Sequence, residues 1–101
     1  MSSDKIEVEN PNTPGRTERL DRAKVEAMRQ ALLAVLPEGP PGLSVAEAKA
    51  ALLPALPEAL FPGGDKAGWW LKAVQLDLEA KGLVLRVPGR PLRLHRAAPA
   101  G

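Results

Sequence analysis

The sequence predicts an α+β fold, a three-helix winged helix-turn-helix with a C-terminal β-hairpin wing, on three observations. Between Asp65 and Gly82 the apolar residues Trp70, Leu71, Val74 and Leu78 fall on one face at helical spacing, and Gly82 stands where a left-handed C-terminal cap belongs. After Gly82 the apolar period drops to two through Leu83-Val-Leu-Arg-Val87, then Pro88-Gly-Arg-Pro91 reads as a tight turn and Leu92-Arg-Leu-His-Arg96 as a returning strand. Two helical segments precede this unit, so the third helix takes the place of a groove-entering helix and the hairpin that of a wing.

Residues 1–19 read as a polar N-terminal arm, residues 20–96 as the winged-helix domain and residues 97–101 as a disordered tail. In the arm, the alternating stretch Ile6-Glu7-Val8 is suited to add a strand to the wing's sheet. Thr13-Pro14-Gly15-Arg16 carries proline and glycine at the central positions of a type II turn, which would direct the arm into the first helix. That helix is expected over about Asp21 to Leu36, with Asp21 as N-cap, Val25, Met28, Leu32, Val35 and Leu36 buried, and Pro37 followed by Glu38-Gly-Pro-Pro-Gly42 as its stop. Ser44-Val-Ala-Glu47 is a capping box that starts the second helix. Pro54 disfavours helical geometry at Leu53 and ends it. The connection to helix three is then much longer than the three or four residues of an ordinary helix-turn-helix. Asp65 reads as the N-cap of helix three.

A chain of 101 residues forms one domain with a modest core, which 16 Leu, 16 Ala and only three aromatics, Phe61, Trp69 and Trp70, must build. Cysteine is absent, which excludes disulfides, thiolate metal sites and thiol catalysis. With His95 as the single histidine, no metal set suggests itself. Ser2, Ser3 and Ser44 have no adjacent base, and Asp77 and Glu79, two apart on a helix, point in different directions. Gly63-Gly64-Asp65-Lys66 lacks the spacing of a phosphate loop. The expectation is therefore a protein that is not an enzyme, with no cofactor and no metal. No stretch approaches the roughly 20 apolar residues of a membrane span, and none follows the first residues, so the expected setting is cytoplasmic with no membrane partner.

Charge is unevenly placed. Residues 1–80 hold nine Lys or Arg against twelve Asp or Glu, whereas residues 81–101 hold five basic residues and no acid. If Val87 pairs with Leu92, then Leu85 opposes Leu94 on the core face, Arg86 opposes Arg93 and Val84 opposes His95 on the outer face. Arg86, Arg93, Arg90 at the tip and Arg96 beyond then make a cationic ridge that either contacts phosphate or is simply solvated. Arg86, Arg90 and Arg93, with Lys72 of helix three, are the candidate contacts to double-stranded DNA, made to phosphates and not to bases. Helix three itself argues for another class. Its outer face offers Asp65, Trp69, Lys72, Leu76 and Glu79, where a base-reading helix offers Arg, Asn, Gln or Ser. Trp69 and Leu76 form an apolar stripe that either the arm covers or a protein interface uses, with a homodimer or another protein as partner.

Ile6-Glu-Val-Glu-Asn10, Pro14-Gly-Arg-Thr17, Asp21 with Lys24, and Phe61-Pro-Gly-Gly64 with the run from Gly68-Trp-Trp-Leu-Lys72 to Gly82 together resemble a family of small uncharacterised bacterial proteins. The resemblance spans nearly the whole chain and implies the winged-helix fold. It brings no activity and no catalytic residue.

Overall fold

Local signals set most of the observed elements. A computed structural model of the chain describes residues 4–97; Ser2, Ser3 and the tail from position 98 lie outside them. The element order is β1 (Lys5–Glu9), β2 (Thr17–Asp21), α1 (Arg22–Val35), β3 (Leu43–Ser44), α2 (Val45–Leu52), α3 (Ala67–Ala80), β4 (Val84–Val87) and β5 (Arg93–Arg96). The fold is mixed α+β with three helices and two small antiparallel sheets, one of β1 and β2, the other in the order β3-β5-β4.

Asp21 caps α1 by accepting from the Lys24 N–H at 3.1 Å, satisfying a donor that has no partner within the helix. Val25, Met28, Leu32 and Leu36 are buried as their spacing requires, while Val35 is only half-buried. The capping box of α2 is complete: Glu47 N–H donates to Ser44 Oγ at 3.1 Å and Ser44 N–H to Glu47 Oε1 at 2.9 Å. Beyond α2, residues 53–66 make the long connection, in which two short 3-10 turns flank Phe61 and lay its ring in the core. At the end of α3, Gly82 at φ 75 donates to Glu79 O at 3.1 Å and Leu83 N–H to Leu78 O at 2.9 Å, which satisfies two terminal carbonyls of the helix.

Four expectations are corrected. The arm is a folded hairpin: Ile6 pairs with Leu20 and Val8 with Glu18, so this strand joins β2 and not the sheet of β4 and β5. The turn at Thr13–Arg16 forms, with Arg16 N–H on Thr13 O at 3.1 Å and Gly15 at φ 85, but it leads into β2, which then leads into α1. Asp65 does not cap α3. Lys66, in the left-handed region at φ 57, holds the cap position, which leaves Asp65 one residue outside the helix with its N–H on Pro62 O.

The fourth correction is the register of β4 and β5, which is shifted by one residue: Arg86 opposes Leu94, Leu85 opposes His95 and Val87 opposes Arg93. The chain leaves α3 through the Gly82 cap so that Val84 points into the core beside Leu94, both buried. Because side chains alternate along a strand, that choice turns Leu85 outward. Leu94 is also fixed from its other side by Leu43 of β3. The approach there is close, since a Cβ on Gly42, at φ 76, would overlap the Leu94 carbonyl.

Candidate functional site

The chemistry of the molecule gathers on α3, and its centre is a residue to which the sequence analysis gave no role. Asp77 is fully buried. Its Oδ1 accepts the backbone N–H of Glu9 at 2.9 Å and a hydrogen bond from Lys81 Nζ, and its Oδ2 accepts from Arg29 Nη2 at 3.1 Å. One carboxylate thus ties β1, α1 and α3 together. Lys81 also reaches Glu9 Oε2 at 3.4 Å, so the sheet of β1 and β2 is held to α3 through both backbone and side chain. A buried carboxylate is tolerated only when donors replace its lost water, and three of them do so here. The signal was present in the sequence: Asp77 stands beside Val74 and Leu78 on the buried face, with Lys81 four residues on, and Arg29 follows Val25 by one turn in α1.

This clamp decides the fate of the apolar stripe. The hairpin of β1 and β2 lies along α3, and a groove between them is lined by Ala73 and Leu76 on one side and by Val8, Thr13, Arg16 and Thr17 on the other. Leu76, expected on the outer face as an interface residue, is only 9% exposed. Trp69 is left open at 54%. Its ring meets Trp70 edge-on at 5.0 Å, and Trp70 meets Phe61 edge-on at 6.4 Å. Trp70, expected in the core, is half-buried, with Lys24 Nζ 5.4 Å from its ring centroid. The pair therefore shares a small aromatic platform at the start of α3, and Trp69 is its solvent side.

The basic residues of the C-terminal hairpin do not form a common ridge. Arg86 lies on the core side of β4 and pairs with Glu79, which also accepts from Gln75 Nε2 at 2.8 Å. Arg93 Nη1 donates to Glu47 Oε1 at 3.2 Å and to Gly42 O at 3.3 Å. Arg96 Nε donates to Leu36 O at 2.8 Å. The one-residue shift of register is what separates Arg86 from Arg93. Arg90, in the turn, and Lys72, on α3, are exposed and make no ion pair or hydrogen bond among the described residues. Among those residues there is also no group of three or more His, Asp or Glu that could hold a metal ion, and no helix long and apolar enough to cross a membrane.

The capping box of α2, with Arg93 beside it, has a consequence for acid stability. Glu47 is held below the ordinary glutamate value of 4.5, first by the Ser44 backbone N–H, then by the Ser44 hydroxyl and the Arg93 guanidinium. A carboxyl whose pKa is lower in the folded than in the unfolded chain stabilises the fold above its unfolded value, and that contribution is lost as pH falls through the folded value. Glu47→Gln should therefore flatten the decline of stability below about pH 4.5, as followed by urea denaturation across a pH series. Identical acid slopes in the two proteins would remove Glu47 from the acid response.

Fold and site together define a small α+β protein whose N-terminal hairpin is locked onto its third helix by a buried carboxylate. The chain belongs to a family of unknown function, DUF6958, whose family model matches residues 5–94. No curated protein and no solved structure matches it.

Proposed function

We propose that the protein is a small interaction module on a winged-helix frame, which docks another protein on the exposed ring of Trp69. Support for the frame comes from the succession α1, β3, α2, α3, β4, β5 with β5 central in its sheet, which is the element order expected of three helices and a wing. In the same reading the setting is bacterial and cytoplasmic. The observation that carries the function is the platform itself: an indole 54% exposed, backed by a second indole at 5.0 Å. A large amphipathic ring that is already restrained loses little freedom on docking, and such rings are the commonest anchors of protein interfaces. The cover over Leu76 and the intramolecular commitments of Arg86, Arg93 and Arg96 speak against base reading by α3.

A photoreactive benzophenone residue in place of Trp69 tests this in the intact chain. It should cross-link a partner protein in cells, whereas the same group at exposed Arg19 should not, and Trp69→Ala should lower co-purification of that partner. No cross-link at position 69 above the Arg19 control defeats the reading. A second reading, phosphate contact with double-stranded DNA, rests on Arg90 and Lys72, the two candidate cations that are exposed without a partner among the described residues. It requires duplex binding that weakens steeply with salt and is lost in the Arg90→Ala, Lys72→Ala double variant.

A further inference from the structure

The open edge of β4 carries an inference independent of the Trp69 surface. Because β5 lies between β3 and β4, β4 ends its sheet. The phase of its outer edge follows from one hydrogen bond: Ala97 N–H donates to Leu83 O at 3.0 Å, in line with Leu85 opposite His95 and Val87 opposite Arg93. Bonded and non-bonded pairs alternate along an antiparallel ladder, so Leu83, Leu85 and Val87 turn their backbone groups toward β5. Val84 and Arg86 turn theirs outward, and no backbone partner meets them among the described residues. Edge strands are ordinarily blunted by a proline, a bulge, a covering segment or an unpaired charge. Within 83–87 there is no proline, and the single charge, Arg86, is neutralised by Glu79. Leu83 and Leu85 lie 47% and 44% exposed.

We infer that β4 pairs with β4 of a second copy, antiparallel, about a two-fold axis at Leu85. Three two-fold registers would engage the outward groups of Val84 and Arg86. A centre at Arg86 sets two guanidinium groups face to face and puts Val84 opposite Pro88, which has no N–H to give. A centre at Val84 puts Arg86 opposite Gly82, whose N–H is already spent on Glu79 O and whose backbone turns at φ 75. A centre at Leu85 puts Val84 opposite Arg86 in both directions. All the outward N–H and C=O groups of the two residues are then used, each Arg86 stays on its own Glu79, and Leu83, Leu85 and Val87 meet their counterparts on one side. The charge and apolar pattern of this strand is complementary to itself in that register alone, as a two-fold contact demands. The seam is short, below the size of a standard interface, so the association is weak and reversible.

The chain has no cysteine, so a single introduced thiol reports on the axis. In the proposed register Leu85 faces Leu85 as a non-hydrogen-bonded pair with Cα atoms about 4.5 Å apart, within the range a disulfide spans. Under diamide, full-length Leu85→Cys should form a covalent dimer at least roughly tenfold faster than Trp69→Cys, because the seam holds the two thiols at high effective concentration. Sedimentation of the unmodified chain should show a concentration-dependent dimer, and Leu85→Lys, checked for folding by circular dichroism, should be a monomer. A monomeric wild-type chain, equal cross-linking at positions 85 and 69, or a dimer that survives Leu85→Lys each overturns the proposal. A dimer dissolved by Trp69→Ala also overturns it and assigns self-association to the aromatic platform. None of these outcomes bears on whether Trp69 captures a different protein.

Discussion

Asp77→Ala is expected to cost about 3 to 5 kcal/mol of folding stability, the range for deleting one member of a buried ion pair and leaving the other uncompensated. Arg29, whose side chain is only 26% exposed, would then lose its carboxylate, and the Glu9 N–H its acceptor. In a domain whose whole stability is of the order of 5 to 15 kcal/mol, such a loss shows as a large drop in urea midpoint. The loss should be local in character as well. Amide exchange at Glu9 and Val8 should quicken more than exchange in α2, which does not touch the clamp, because the hairpin loses its hold on α3 before the helices part. A variant within about 1 kcal/mol of wild type, with β1 exchange unchanged, would show that hairpin docking rests on Val8 and Leu76 packing and not on the carboxylate.

The second large effect belongs to Phe61. Its ring is fully buried and backs Trp70, and it is the one aromatic that the long connection between α2 and α3 delivers to the core. Phe61→Ala should cost about 3 to 5 kcal/mol through lost transfer energy and the cavity left behind. Trp69→Ala should change stability by no more than about 0.5 kcal/mol, since most of its ring is already in water. Thermal unfolding of the two variants side by side measures the contrast. A larger loss from Trp69→Ala than from Phe61→Ala would reverse the assignment of the faces of α3.

What was legible in the sequence depended on the range of the interaction that encodes it. Asp21, the Ser44 and Glu47 capping box and Gly82 act within one turn of chain, so the positions of the helix ends could be read directly. The expectation at Asp65 failed for a local reason too: the Pro62-Gly63-Gly64 turn placed a left-handed Lys66 between the aspartate and the helix. The register of β4 and β5 was not legible. Val84 and Leu85 are equally apolar, and only the exit geometry of α3 and the packing of Leu94 against Leu43 choose which of them points inward. Of the candidate site, the apolar stripe was visible as a pattern, and the structure divides it: the arm covers Leu76 and Trp69 stays open. The commitment of Arg86 and Arg93 to Glu79 and Glu47 was hidden, because it links residues brought together only by the correct register.

The clamp at Asp77 also has a consequence for how the chain is made. β1 leaves the ribosome well before α3, yet the acceptor of its Glu9 N–H lies 68 residues downstream, on α3. Until α3 has emerged, the β1–β2 hairpin has only α1 to pack against, and a two-stranded ribbon is marginal at best in water. Closing that long loop is an entropic cost that must be met before the contacts reward it. Synthesis and docking are thereby separated in time: β1 is translated before α3 but gains this anchor only after α3 has emerged.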